Sequence, residues 1–154
     1  MNVYLSSRYA RQEELRSYIQ KFREAGHKVC SRWLTEADPA EALPHDLTDE
    51  AREQWGRVAE RDYDDAVLCD VMVHFSEQPG TSWPGGGRNV ELGIAIALGT
   101  PIVIVGPHEN VFHYLPRGTH ELVHVDNVAQ AVAMVDTKQA EHDEDNVLSV
   151  FGRH

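Results

Sequence analysis

The chain of 154 residues is 42% hydrophobic and 25% charged, the length of one domain with enough apolar sequence for a packed core. A formal net charge of −11 at pH 7 excludes a nucleic-acid polymer or an anionic membrane surface as the main partner, because both select a basic footprint. A small nucleotide remains compatible, since a glycine loop and one or two arginines hold a phosphate locally.

The opening "NVYLS" (2–6) predicts a first strand. Residues 11–26 bring Leu15, Tyr18, Ile19 and Phe22 to one helical face, and Gly26 supplies the stop. "HKVCSRW" (27–33) alternates, with Val29, Ser31 and Trp33 on one side, and predicts a second strand. Residues 34–47 are acidic and broken by prolines, a surface excursion. Thr48 caps a helix that opens on Asp49 and Glu50 and runs to Cys69. "VMVHF" (71–75) is the third strand, and "SEQPGTSWPGGGR" (76–88) a long Gly/Pro loop. Asn89 is the expected cap of the next helix, "VELGIAIALG". "PIVIVG" (101–106) and "ELVHV" (121–125) add two strands, and 127–135 a closing helix. The expected domain is 1–136, followed by a polar tail over 137–154 that is solvated or frayed.

The N-terminal stretch has no secretory pattern, and no segment approaches the roughly 18 apolar residues of a membrane span. Cys30 and Cys69 stand far apart without metal or redox spacing, as buried reduced thiols of a cytoplasmic protein do. Strands alternating with helices predict an α/β fold, a parallel sheet with helices on both faces. Ligands then sit beyond the carboxyl ends of the strands, here at "SSRY", at the glycine loop and at "GPHENVF".

Two carboxylates stand out there. Glu91 is the single ionisable side chain in the body of a helix that reads as apolar all round and therefore covered, sharing a face with Ile94, Ala95 and Leu98. Placed in the first turn, it would be held anionic yet poorly solvated, the state a nucleophile needs. Asp62 falls between Ala59 and Ala66 on the stripe Trp55, Ala59, Ala66, Cys69, so it requires a partner or a cleft. Two carboxylates at strand ends suit retaining glycosidic cleavage, and Tyr4 of the first strand could donate to one of them, with a core aromatic as the alternative reading of that phenol. The loop glycines, with Ser82 and Arg88 near a helix start, form a candidate anion cradle, with a flexible lid as the equal alternative, but neither a P-loop nor a dinucleotide fingerprint. "HELVH" (120–124) matches a zinc-protease pattern, but that chemistry needs a helix and the β-rich surroundings predict a strand. Neither a metal nor any other cofactor is expected.

The segments "VYLSSRY", "ERDYDDAVLCDVMVHF" and "GGGRNVELGIAIALGTPIVIVG" resemble the nucleoside 2-deoxyribosyltransferase family, which includes the 2'-deoxynucleoside 5'-phosphate N-hydrolases. The likeness spans residues 2–115 and is most specific in "ELGIAIALGTPIVIVG". It implies a flavodoxin-like doubly wound parallel sheet of about five strands. It also implies double displacement at the N-glycosidic bond of a 2'-deoxynucleoside or its 5'-monophosphate. Glu91 takes the nucleophile's place, Tyr4 orients it, and Asp62 serves proton transfer at the base. Ser6, Arg8 and Tyr9 follow the first strand and line the pocket; Trp33 and Trp83 offer faces for a base, with the core as Trp33's alternative. Gly85 replaces an aspartate that transferases of the family often carry, whereas Gly85, Gly86, Gly87 and Arg88 echo the small-residue loop of the phosphate-accepting hydrolases. A homo-oligomer is implied, with a neighbouring subunit completing the site through 109–116, Asn110 foremost. The competing readings are a strict N-hydrolase and a nucleotide-sensing module without turnover.

Overall fold

The computed structural model describes residues 1–36, 48–78, 86–115 and 121–151. Five parallel strands form one sheet: β1 (Asn2–Ser6), β2 (Lys28–Val29), β3 (Val71–Phe75), β4 (Ile102–Val105) and β5 (Leu122–Val125), in the order β2-β1-β3-β4-β5. This is the flavodoxin-like doubly wound arrangement, whose chain reverses direction across the sheet between β1 and β3. The four α-helices are α1 (Gln12–Glu24), α2 (Asp49–Leu68), α3 (Gly87–Leu98) and α4 (Val128–Phe151). Helices α1 and α4 pack together on one face, α2 and α3 on the other.

Register decides what each face carries. Tyr4 pairs with Met72 and Ser6 with His74; His74 pairs with Ile104, and Ile104 with His124. Side chains alternate along a strand, so Tyr4, Ser6, Met72 and His74 share the face covered by α2 and α3. Val3, Leu5, Val73 and Phe75 point to the α1 and α4 face, where Leu15, Ile19, Phe22, Ala131 and Val135 close the core. The central strands are buried throughout and read as continuous apolar runs, as sheets covered on both sides do.

Several local expectations shift. The second strand is two residues long, not 27–33, and the chain turns into a 3-10 turn at Arg32–Leu34. Two side chains draw it off the ladder: Ser31 Oγ accepts from the Leu5 amide at 2.6 Å, and Asp65 accepts from the Arg32 amide at 2.9 Å and from its Nε at 2.8 Å. Thr48 caps α2 as expected, accepting from the Ala51 amide at 3.2 Å. Helix α3 starts two residues before the expected Asn89 cap, with Gly86 as its N-cap. Its outer face is open rather than covered, since Val90 is 64% and Leu98 56% exposed. The closing helix is longer than the expected 127–135: α4 continues through Phe151, with 140–146 exposed to solvent. "ELVHV" forms strand β5 over Leu122–Val125, as its β-rich context predicts. No described helix is long and apolar enough to cross a membrane.

Candidate active site

The carboxyl ends of β1 and β3 meet the second turn of α3, and Glu91 stands at that junction. Tyr4 Oη donates to Glu91 Oε1 at 2.9 Å, and Ser6 Oγ donates to Glu91 Oε2 at 2.7 Å. Tyr4 and Ser6 lie two apart on one strand, so their hydroxyls reach both oxygens of one carboxylate from the same side. Burial drives the Glu91 pKa up to about 7; the Ser6 and Tyr4 hydrogen bonds oppose that rise, the charge of Asp62 adds to it, and Arg88 opposes it. Because α3 begins at Gly87, Glu91 lies beyond its first turn. The helix terminus therefore contributes less than expected, since that effect fades within a turn, and the two hydroxyls stabilise the anion instead. Burial first, then Glu91 and Asp62, holds the Tyr4 phenol far above its ordinary range, so it is a neutral donor.

Asp62 is half-buried on α2 and close enough to raise the pKa of both Tyr4 and Glu91. The stripe drawn through Ala59 is misplaced: Ala59 is exposed, and the inward positions run through Val58, Asp62, Asp65, Ala66 and Cys69. Arg61 Nε and Nη2 donate to Asp62 Oδ1 at 2.9 and 2.8 Å. The deeply buried acid of α2 is Asp65, which anchors Arg32 rather than facing Glu91.

The expected anion cradle is changed by pairing. Arg88 is buried and its Nη2 donates to Glu109 Oε1, while Glu109 Oε2 accepts from the Glu77 amide at 2.9 Å. Glu77 Oε1 in turn pairs with Arg8 Nε at 3.1 Å and Arg11 Nη1 at 3.3 Å. These arginines meet carboxylates near the strand ends, and Arg88 is paired there with Glu109 through Nη2. Gly86 and Gly87 are exposed at the start of α3. Ser82, Trp83 and Gly85 lie outside the described residues.

Trp33 belongs to the core alternative. It is 5% exposed within the core, and its indole N–H donates to the Leu5 carbonyl at 2.9 Å. Tyr9 is half-buried beside it, with ring centroids 6.4 Å apart. Asn110 caps the 3-10 turn Val111–Tyr114 by accepting from the Phe112 amide at 2.9 Å. With Asn89, Leu92, Gly93, Ile96 and Phe112 it lines an apolar hollow of about 360 Å3 on the outer side of α3.

The family resemblance brought Tyr4 and Glu91 together, and it placed Ser6 only as a pocket lining. His74 was missed altogether, although its Nδ1 lies 3.2 Å from Ser6 Oγ. An ionisable residue inside "VMVHF" was the available signal, but its neighbour follows from strand register, which the residues of one strand do not encode. Among the described residues no group of His, Cys, Asp or Glu is arranged to hold a metal.

No protein-family model matches the chain, and no curated protein matches it in sequence. Solved structures share its fold at low identity. The CMP N-glycosidase of Clostridium botulinum superimposes with a TM-score of 0.53 at 20% identity, over 89% of this chain and 99% of that one. A 2-deoxyribosyltransferase of Bacillus psychrosaccharolyticus gives 0.55 at 18% identity, over 86% and 90%. A conserved protein from Enterococcus faecalis gives 0.59 at 11% identity, over 90% and 98%.

Proposed function

We propose that this chain cleaves or exchanges the N-glycosidic bond of a 2'-deoxynucleoside or its 5'-monophosphate, through a deoxyribosyl group held covalently on Glu91. The observation that carries this reading is the Glu91 carboxylate, bound at both oxygens by Tyr4 and Ser6, with a pKa of about 7, where the strand order reverses. Two of the proteins that share the fold, a CMP N-glycosidase and a 2-deoxyribosyltransferase, are named for this class of bond.

Each Glu91 oxygen keeps a lone pair beyond the hydrogen bond it accepts. One attacks C1' of the sugar; the C1'–N bond breaks and its electron pair leaves with the base. The departing nitrogen takes its proton from Asp62, the residue assigned to that role. Water, or a second base, then attacks C1', returns a proton to the Asp62 carboxylate and expels the Glu91 carboxylate. A pocket that excludes water favours the incoming base, so closure decides between hydrolysis and exchange. Arg8 and Tyr9, at the mouth after β1, line the sugar side; Gly86 and Gly87, exposed at the start of α3, are assigned to the 5' end. A second copy supplies Asn110 to complete the pocket.

The test is incubation with each deoxynucleoside and deoxynucleotide, and with CMP, with and without a free acceptor base. Free base and new nucleoside are followed by chromatography. Release of base with appearance of a new nucleoside supports exchange, and release alone supports the hydrolase. Tight binding with neither product leaves a sensing module, and the proposal falls.

A further inference from the structure

Ser6 carries one hydroxyl proton and three neighbours compete for it. Glu91 Oε2 lies at 2.7 Å, His74 Nδ1 at 3.2 Å and the Arg88 carbonyl at 3.5 Å. The carboxylate is the nearest and, when ionised, the strongest acceptor, so the proton goes there. Ser6 Oγ then has only lone pairs to offer His74, and the contact is a hydrogen bond only if Nδ1 carries the hydrogen.

The surroundings of His74 select that form. The ring is fully buried between β1 and β4 on the α3 side, and its Nε2 has no hydrogen-bond partner among the described residues. A hydrogen on Nε2 would be a buried donor without an acceptor, the costlier way to leave that atom. The ring stays uncharged: burial lowers its pKa to about 3, and the neighbouring His113, Arg88, Arg11 and His124 push the same way. His113 meets it edge-on, with centroids 5.5 Å apart, and fixes its plane.

Building on the reading above, we propose that His74 is a positioning residue for Glu91, acting through Ser6. Its Nδ1–H donates to Ser6 Oγ, and this commits the Ser6 proton to Glu91 Oε2. The relay His74–Ser6–Glu91 holds the carboxylate's plane and lowers its proton affinity through neutral groups, in addition to the opposed effects of the Arg88 and Asp62 charges. Tyr4 secures the other oxygen directly, so the two arms are unequal: one is a single donor, the other a donor held in place from behind.

The experiment uses the full chain and reads Glu91 itself. The Glu91 carboxyl is titrated by carbon-13 NMR in the unligated wild type and in His74→Leu, His74→Asn and Ser6→Ala; folding is checked by circular dichroism. Asparagine can place an N–H near the position of the imidazole Nδ1, whereas leucine fills the space and donates nothing. Expected is a rise of the Glu91 midpoint by about half a unit to one unit in His74→Leu. His74→Asn should restore most of it, and His74→Leu should add nothing in a Ser6→Ala background. An unchanged midpoint in folded His74→Leu overturns the relay, as does an undiminished effect of His74→Leu when Ser6 is absent. If His74→Leu does not fold, His74→Asn and the Ser6→Ala titration decide. A midpoint in Ser6→Ala equal to the wild type then overturns the proposal. Where base release is measured, kcat should fall roughly fivefold to tenfold in His74→Leu with KM unchanged. A midpoint that responds in a protein that releases no base from any nucleotide defeats the glycosidic reading and leaves the relay standing.

Discussion

Glu91 is held in a state that costs folding energy. Its folded pKa of about 7 exceeds the ordinary value of 4.5, so between those pH values the folded chain binds more protons than the unfolded one. The contribution of this group is fully present below pH 4.5 and is lost as the pH rises through 7. Glu91→Gln should therefore abolish turnover while raising stability, by up to about 3 kcal/mol at pH 8 and by little at pH 4.5. Paired urea titrations at the two pH values measure it, and an equal gain at both would show that burial does not set the pKa. In the wild type, the rate of base release should climb through pH 7 as the carboxylate forms. Asp62→Asn keeps the side chain's shape but removes its charge from beside Tyr4 and Glu91. We expect base departure to slow by roughly 100-fold or more, as loss of a general acid does, with the slowing greatest for poor leaving bases. Rates unchanged across a series of bases would exclude Asp62 from the chemistry.

At the scale of elements, the site depends on strand ends being stopped cleanly. The turn after β4 is made by Gly106, whose φ is +111° and whose missing Cβ would fall 2.7 Å from Ser76 Oγ. Gly106→Ala should cost roughly 2 kcal/mol or more through backbone strain and that collision. Ser76→Gly removes both the collision and the Ser76 hydroxyl's hydrogen bond to the Val105 carbonyl, so thermal melts of a double-mutant cycle that includes Ser76→Gly alone isolate the collision's share. The periodic elements were legible because burial on one or two faces writes itself into composition: β1 and β3 have the bounds expected of 2–6 and 71–75. Legibility failed where one side chain outbids the pattern. Ser31 and Asp65 convert an alternating run into a 3-10 turn, and Gly86 takes the cap role that favoured Asn89. In α2 one position of the expected stripe is off by one residue, with Val58 turned inward and Ala59 exposed, since Ala reports burial poorly. The pairing of Arg88 with Glu109 joins residues on either side of β4, and no local spacing announces such a contact.

Across the whole molecule, the apolar outer surface of α3 continues into the turn Val111–Tyr114, where Phe112 is 58% and Tyr114 68% exposed. On a chain of net charge −11, self-repulsion opposes association unless apolar contact outweighs it. We therefore expect a dimer through this surface, its mass measured by sedimentation equilibrium. Phe112→Asp should yield monomers with an unchanged circular dichroism spectrum, and a wild-type monomer at high concentration would refute the expectation. The two sheet faces also differ in what they ask of their residues. Val3, Leu5, Val73 and Phe75 need only fill space, whereas Tyr4, Ser6 and His74 must present particular atoms to Glu91. Because the two kinds alternate along each strand, a library scan of β1 and β3 should return a comb of permissive and intolerant codons. Dropping one codon within either strand would slide aliphatic carbon beneath Glu91, so insertions and deletions there should be silenced far more completely than any point change at the permissive teeth.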